Sequence, residues 1–208
     1  MLDVLESPRL YRSEFGFKSR FVGNYLSRAL AENKIETDGF NRIVLVGCQQ
    51  ERRPNYIQDK VLVVDVPFDK SEYNGLSEDQ LPEFFCKMYH SGIESMRPTF
   101  KIPYDVLIGS IESFRLGGYK NVWQAKIKLL KEISVKATVS CTMTMEFFSA
   151  RLNLSRGREI FYDEEILNTL PDESFFGGQF RDITYSNYEV SVINRHGGRV
   201  YYLGWPIK

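Results

Sequence analysis

The sequence predicts an α+β protein, with a mainly antiparallel, curved β-sheet packed with helices from the N-terminal half. Two observations carry this. From Ile133 to Phe147 every odd position is apolar and every even position is polar or charged. A period of two held this long makes a strand with one buried and one wet face, the mark of an antiparallel sheet covered on one side. The first half instead shows helical periodicity around two short apolar runs, and segregated helices and strands make α+β rather than α/β.

Residues 17–32 read as a helix, with Phe21, Tyr25 and Ala29 recurring every four and Val22, Leu26 and Leu30 beside them. Arg42 to Cys48 and Val61 to Phe68, the latter broken by Asp65, read as buried strands joined by the polar connection Gln49 to Asn55. Ser77 to Ile93 is the clearest helix. Ser77 and Gln80 match a capping box, and Leu81, Phe84, Phe85 and Met88 form its stripe, with Gly92 weakening its end. Pro103 opens another helix, which Gly117-Gly118 stops.

Asn121 to Glu132 alternates like a strand but also fits a helix. The strand reading is preferred, with a turn near Lys131-Glu132. After Phe147 the apolar phase shifts by one, to Phe148, Ala150, Leu152 and Leu154, which predicts a bulge. Ser155-Arg156-Gly157 turns the chain into Arg158–Tyr162, and Asp163 caps a short helix through Leu167. Residues 171–180 form a loop. Strands at roughly 183–193 and 199–205 close through Asn194-Arg195-His196-Gly197-Gly198, a hairpin signal. With no repeat and no low-complexity linker, residues 1–208 are expected to make a single domain.

With 27 basic and 27 acidic residues the formal charge is zero, which argues against a general coat for nucleic acid or anionic membrane. Cys48, Cys86 and Cys141 are odd in number and sit among apolar neighbours, so they read as reduced core residues of a cytoplasmic protein. The first residues lack a basic-then-apolar signal pattern, and no run of 18 apolar residues exists to span a membrane.

Chemistry is hard to find. His90 and His196 are the only histidines, and neither has a partner at metal-ligand spacing. Phosphate-cradling glycine loops and the nucleophile elbow are missing. Pro171-Asp172-Glu173 resembles the start of a restriction-type nuclease core, but the lysine such a core needs does not follow it. No cofactor, no metal and no catalytic residue is therefore expected, and the chain reads as a non-enzyme. An unconventional site on Asp65, His90 or His196 is the competing enzyme reading.

Charge is nonetheless uneven. Glu159 to Glu173 holds Glu159, Asp163, Glu164, Glu165, Asp172 and Glu173 with no base, while Lys120, Lys126, Lys128, Lys131 and Lys136 cluster just upstream. Each can be a solvated face. The acidic segment can also meet a basic protein. Phe175 and Phe176, adjacent in a glycine-flanked loop, cannot both hide easily, so one is a candidate contact anchor. Glu164, Glu165, Asp172, Glu173, Phe175 and Phe176 are the expected partner-binding residues. The lysines, with Tyr185, Tyr188, Tyr201, Tyr202 and Trp205, support a second reading: a sheet face that stacks single-stranded nucleic acid.

Across roughly residues 40–200 the chain resembles the small cytoplasmic immunity proteins of bacterial contact-dependent growth inhibition and related toxin systems. The resemblance rests on Phe114-Arg115-Leu116-Gly117-Gly118-Tyr119, on the long alternating strand, and on Ile166 to Glu173. It implies a stoichiometric inhibitor that binds and occludes one cognate toxin domain, often a nuclease, and it carries no catalytic residues over. The neutral overall charge departs from the acidic balance common among nuclease inhibitors.

Overall fold

The structure is a computed structural model that describes residues 2–4, 9–33, 35–49 and 53–206. Gln50, Glu51 and Arg52 of the predicted polar connection lie outside the described residues. The fold class is α+β, as the sequence predicts. The chain divides into two compact units, 1–121 and 122–208.

In the first unit, strand β1 (Leu2–Val4) leads into helix α1 (Arg9–Ala31), which starts earlier than predicted. The two apolar runs form β2 (Arg42–Cys48) and β4 (Val61–Pro67). They lie parallel, with Leu45 opposite Val64 and Val46 opposite Asp65, as buried runs without strict alternation prefer. Between them a short β3 (Tyr56–Gln58), not predicted, folds back antiparallel on β4 through Asp59 and Lys60. Both residues are left-handed, φ 48° and 64°, the backbone of a tight hairpin turn. The sheet order is β1-β2-β4-β3.

Helix α2 (Lys70–Gly75) is capped by Asp69, whose side chain accepts from the N–H groups of Ser71 and Glu72. Helix α3 (Leu81–Met96) begins after the predicted capping residue. Only half of the box forms: Gln80 Oε1 accepts from the Ser77 N–H at 2.9 Å, closing a turn ahead of the helix. Gly92 does not weaken the helix end. It lies inside α3 against the sheet, where a Cβ would come within 2.7 Å of Leu45 and 3.1 Å of Val66. Its missing side chain allows that close approach. Helix α4 (Tyr104–Leu116) follows Pro103 as predicted and stops at the glycine pair, Gly118 taking φ +65°. The aromatic centre is Phe15, whose ring meets Phe68, Tyr73 and Phe85 edge-on at 5.1, 5.2 and 5.5 Å.

In the second unit the ambiguous segment is a strand, β5 (Asn121–Leu130), followed by a 3₁₀ turn at Lys131–Ile133. The long alternation yields β6 (Val135–Met143), with Val135, Ala137, Val139, Cys141 and Met143 all buried. It is shorter than the pattern suggested. The change of phase is a hairpin, not the expected bulge: Thr144 N–H donates to the Phe147 carbonyl at 2.9 Å, and Met143 faces Phe148 across the turn. A four-residue connection shifts the apolar parity as a bulge does, so periodicity alone cannot tell the two apart.

Strand β7 (Phe148–Arg156) carries Phe148, Ala150, Leu152 and Leu154 inward. Strand β8 (Glu159–Thr169) replaces the helix expected from Asp163 to Leu167, because its whole length pairs with β7. The bulges are here: the pairing skips Phe161 and Ile166. The predicted loop at 171–180 contains a helical turn, α5 (Glu173–Phe176). The strand expected at 183–193 is a hairpin, β9 (Asp182–Ser186) and β10 (Glu189–Ile193), turning through Asn187 and Tyr188 at φ 52° and 58°. Strand β11 (Arg199–Gly204) pairs with β10 across the predicted turn.

Two sheets result, β5-β6-β7-β8 and β11-β10-β9. They stack as a small sandwich, with Ile183, Val190 and Val192 buried on the three-stranded side. Lys128 reaches Asp182 at the β5 edge, at 2.9 Å, and Tyr162 meets Tyr201 at the β8 edge, at 2.5 Å.

Candidate protein-binding surface

The acidic segment is now an edge strand. An extended chain places successive side chains on opposite faces about 3.3 Å apart, so these carboxylates are spread along a ridge instead of gathered on one helix face. Register decides what each one does. Asp163 lies opposite Asn153 and pairs with Arg151, Nε to Oδ1 at 3.0 Å. Glu165 lies opposite Arg151, yet accepts from the Ser149 hydroxyl at 2.8 Å and the Asn168 amide at 3.2 Å. Glu164 falls on the other face, opposite Leu152, and is exposed because no strand among the described residues pairs beyond β8.

Asp172 is the N-cap of α5. It accepts from Ser174 N–H at 2.9 Å and Ser174 Oγ at 2.8 Å, as a first helical turn requires. Glu173 is exposed within that turn. The two phenylalanines part ways: Phe176 is buried and stacks on Phe148 at 3.8 Å, while Phe175 is 49% exposed. Phe148 lies opposite Thr169, so α5 sits at the far end of β8. From there Glu164 is four β7 positions away, roughly 13 Å at 3.3 Å per residue. Of the six predicted residues, Glu164, Glu173 and Phe175 therefore face solvent. Glu165 and Asp172 hold local structure, and Phe176 is core, which corrects its expected role as a partner contact.

The lysine–tyrosine face does not assemble as a free array. Lys126 and Lys128 both converge on Asp182, at 3.8 and 2.9 Å, and they lower its pKa. Tyr201 turns inward to Tyr162, whose own pKa is raised by burial and by that hydrogen bond. Tyr188 and Tyr202 remain exposed, with Arg199 over the Tyr202 ring.

Two ion-pair clusters escape sequence inspection. Asp65 is buried on β4 and receives Arg53 in a forked contact, Nε and Nη2 each at 2.9 Å, with the Arg53 N–H at 3.1 Å. That guanidinium holds the Asp65 carboxyl below its ordinary range. In the second cluster, Arg115 forks onto Glu83 at 2.8 and 2.9 Å, and the Tyr119 hydroxyl joins at 2.9 Å. The Phe114-to-Tyr119 stretch is thus a joint binding the end of α4 to α3.

His90 is half-buried on α3, and His196 lies in the exposed turn, accepting from Arg195 Nε at 2.9 Å. Among the described residues no three His, Cys, Asp or Glu side chains are grouped to hold a metal ion. No helix among them is long and apolar enough to cross a membrane. No known protein-family model matches the chain, and no curated protein or solved structure matches it either.

Proposed function

We propose that this protein is a non-enzymatic, immunity-type inhibitor that binds a cognate bacterial toxin domain in the cytoplasm and occludes it. One observation carries the reading. An exposed edge strand of 11 residues holds four carboxylates and no base, with an exposed phenylalanine beyond its end. Exposed aromatic side chains anchor protein contacts, and a single-sign stripe steers an oppositely charged partner into place. Occlusion then needs only steric coverage of the toxin and no reacting group on this chain. The nucleic-acid reading finds less support, since Lys126, Lys128 and Tyr201 are engaged within the sandwich.

The test is co-expression with the toxin domain encoded beside it. Growth rescue and a 1:1 complex on a sizing column are expected, and failure of both overturns the proposal. Within such a complex, Glu164→Gln with Glu173→Gln should slow association and flatten its salt dependence. Phe175→Ala should instead speed dissociation. Unchanged kinetics in both variants would remove this surface from the contact.

A further inference from the structure

Among the described residues, the sheet β5-β6-β7-β8 ends in two edge strands of opposite charge. Strand β5 is 10 residues long and holds Lys126 and Lys128 and no acid, with Lys120 and then Lys131 and Glu132 flanking it. Strand β8, of 11 residues, has four acids and no base, with Arg158 just before it. The order β5-β6-β7-β8 puts these two strands at opposite rims. Even after Glu132 and Asp182 are set against the lysines, and Arg158 and Arg151 against the carboxylates, one rim stays positive and the other negative. The β5 rim also exposes Val122, Ile127 and Leu129, at 57%, 48% and 57%. Edge strands offer unpaired N–H and C=O groups, and an exposed apolar one is a template for strand addition.

We propose that β5 of one copy pairs with β8 of a second copy, extending the four-stranded sheet head to tail. Charge complementarity selects this partner: β5 against β5 would set lysines against lysines, and β8 against β8 carboxylates against carboxylates. The two bulges of β8 limit the pairing. Between them Tyr162, Asp163, Glu164 and Glu165 keep regular register with β7, and this short stretch holds three of the strand's four acids. So short a contact makes the association weak and reversible. A head-to-tail contact need not close on itself, so association builds a concentration-dependent series of oligomers. The proposal is independent of the toxin-binding reading, although both use the β8 rim and self-pairing would compete with a partner there.

The experiment is sedimentation velocity on the purified full chain, at rising concentration and at about 0.1 M and about 1 M salt, where the screening length falls from roughly 10 Å to roughly 3 Å. The average mass should climb with concentration at low salt and return to that of the monomer at high salt. Two variants then fix the geometry without touching the Lys128–Asp182 or Arg151–Asp163 pairs. Ile127→Glu with Leu129→Glu blocks the β5 rim, and Glu159→Lys with Glu164→Lys blocks the β8 rim. Each alone should be monomeric, and an equimolar mixture should give a discrete heterodimer, because one good rim remains on each. A wild-type chain that stays monomeric at all concentrations overturns the proposal. So does a β8-rim variant that still self-associates, which would mean β5 pairs with itself. Circular dichroism unchanged from wild type shows that both variants fold.

Discussion

Replacing each of the two adjacent phenylalanines in α5 by alanine separates core from surface. Phe176 is 7% exposed and stacks on the fully buried Phe148 at 3.8 Å. Removing a buried phenylalanine costs about 3–5 kcal/mol. The lower end applies here, because the turn holding Phe176 has only four residues and can relax, so about 3 kcal/mol is expected. Phe175 is half in water already. Full burial of such a side chain stabilises by roughly 1.5–3 kcal/mol, so losing the covered half costs roughly 0.8–1.5 kcal/mol. Urea unfolding followed by tryptophan fluorescence measures the difference. Both tryptophans, Trp123 and Trp205, lie in the second unit, and Trp123 sits 5.9 Å from Phe148, so the signal reports on this core. Phe176→Ala should shift the midpoint strongly at constant slope, and Phe175→Ala only slightly. Equal losses, or a neutral Phe176→Ala, would refute the placement of the two rings.

Gly92→Ala should destabilise despite the helix propensity it gains: overpacking against Leu45 and Val66 costs about 1–3 kcal/mol, against about 1 kcal/mol recovered. Gly109→Ala, on α4 with nothing within 4 Å, should stabilise by roughly 0.5–1 kcal/mol, and chemical denaturation of the pair checks both signs. The Asp65 carboxyl is depressed in the folded state by Arg53, so its contribution is complete above the ordinary aspartate range and is lost as pH falls through the lower folded pKa. Asp65→Asn should therefore flatten the acid limb of a stability–pH profile and leave the slope above pH ~5 unchanged, and a steeper acid limb would contradict the assignment. Of the three cysteines, Cys86 and Cys141 are buried, and burial pushes the Cys86 thiol up to about 12, while Cys48 is only partly covered. A thiol reagent at neutral pH should label one site quickly in the native protein and three in denaturant; two fast sites would count against this packing.

Where the sequence was legible, the physics was periodicity under one-sided burial. The alternation of β6, the stripe of α3 and the apolar runs of β2 and β4 all follow from it. Illegibility has particular causes. The hairpins at Asp59-Lys60 and Asn187-Tyr188 place non-glycine residues at positive φ, so the usual Asn-Gly or Asp-Gly signal is missing: the second reads as continuous strand, and no strand is expected ahead of the first. Met143 and Phe148 face each other across a loop whose length imitates a bulge. Asp163 has the chemistry of a cap, but Arg151 on the neighbouring strand takes it, and tertiary pairing overrides local preference. At the candidate surface, Phe175 and Phe176 are neighbours in sequence, and only the stack on Phe148 decides which is core.

The strand identity of residues 159–169 changes what the acidic segment can do. A helix would have gathered Asp163, Glu164 and Glu165 within one turn and offered a compact anionic cap. On β8 the same side chains alternate, so Asp163 and Glu165 lie on the outer face, where Arg151, Ser149 and Asn168 engage them, and Glu164 lies on the other side with Tyr162. Neutralising Glu165 thus disturbs the sheet before it disturbs a partner, whereas Glu164 can be changed cleanly. The bulges at Phe161 and Ile166 act in the same direction. Bulges and charges are how sheets blunt an edge against unwanted strand addition. On the proposed readings, a rim blunted this way favours a partner that brings compensating charge over a neutral strand, so its selectivity would rest on electrostatics more than on apolar area.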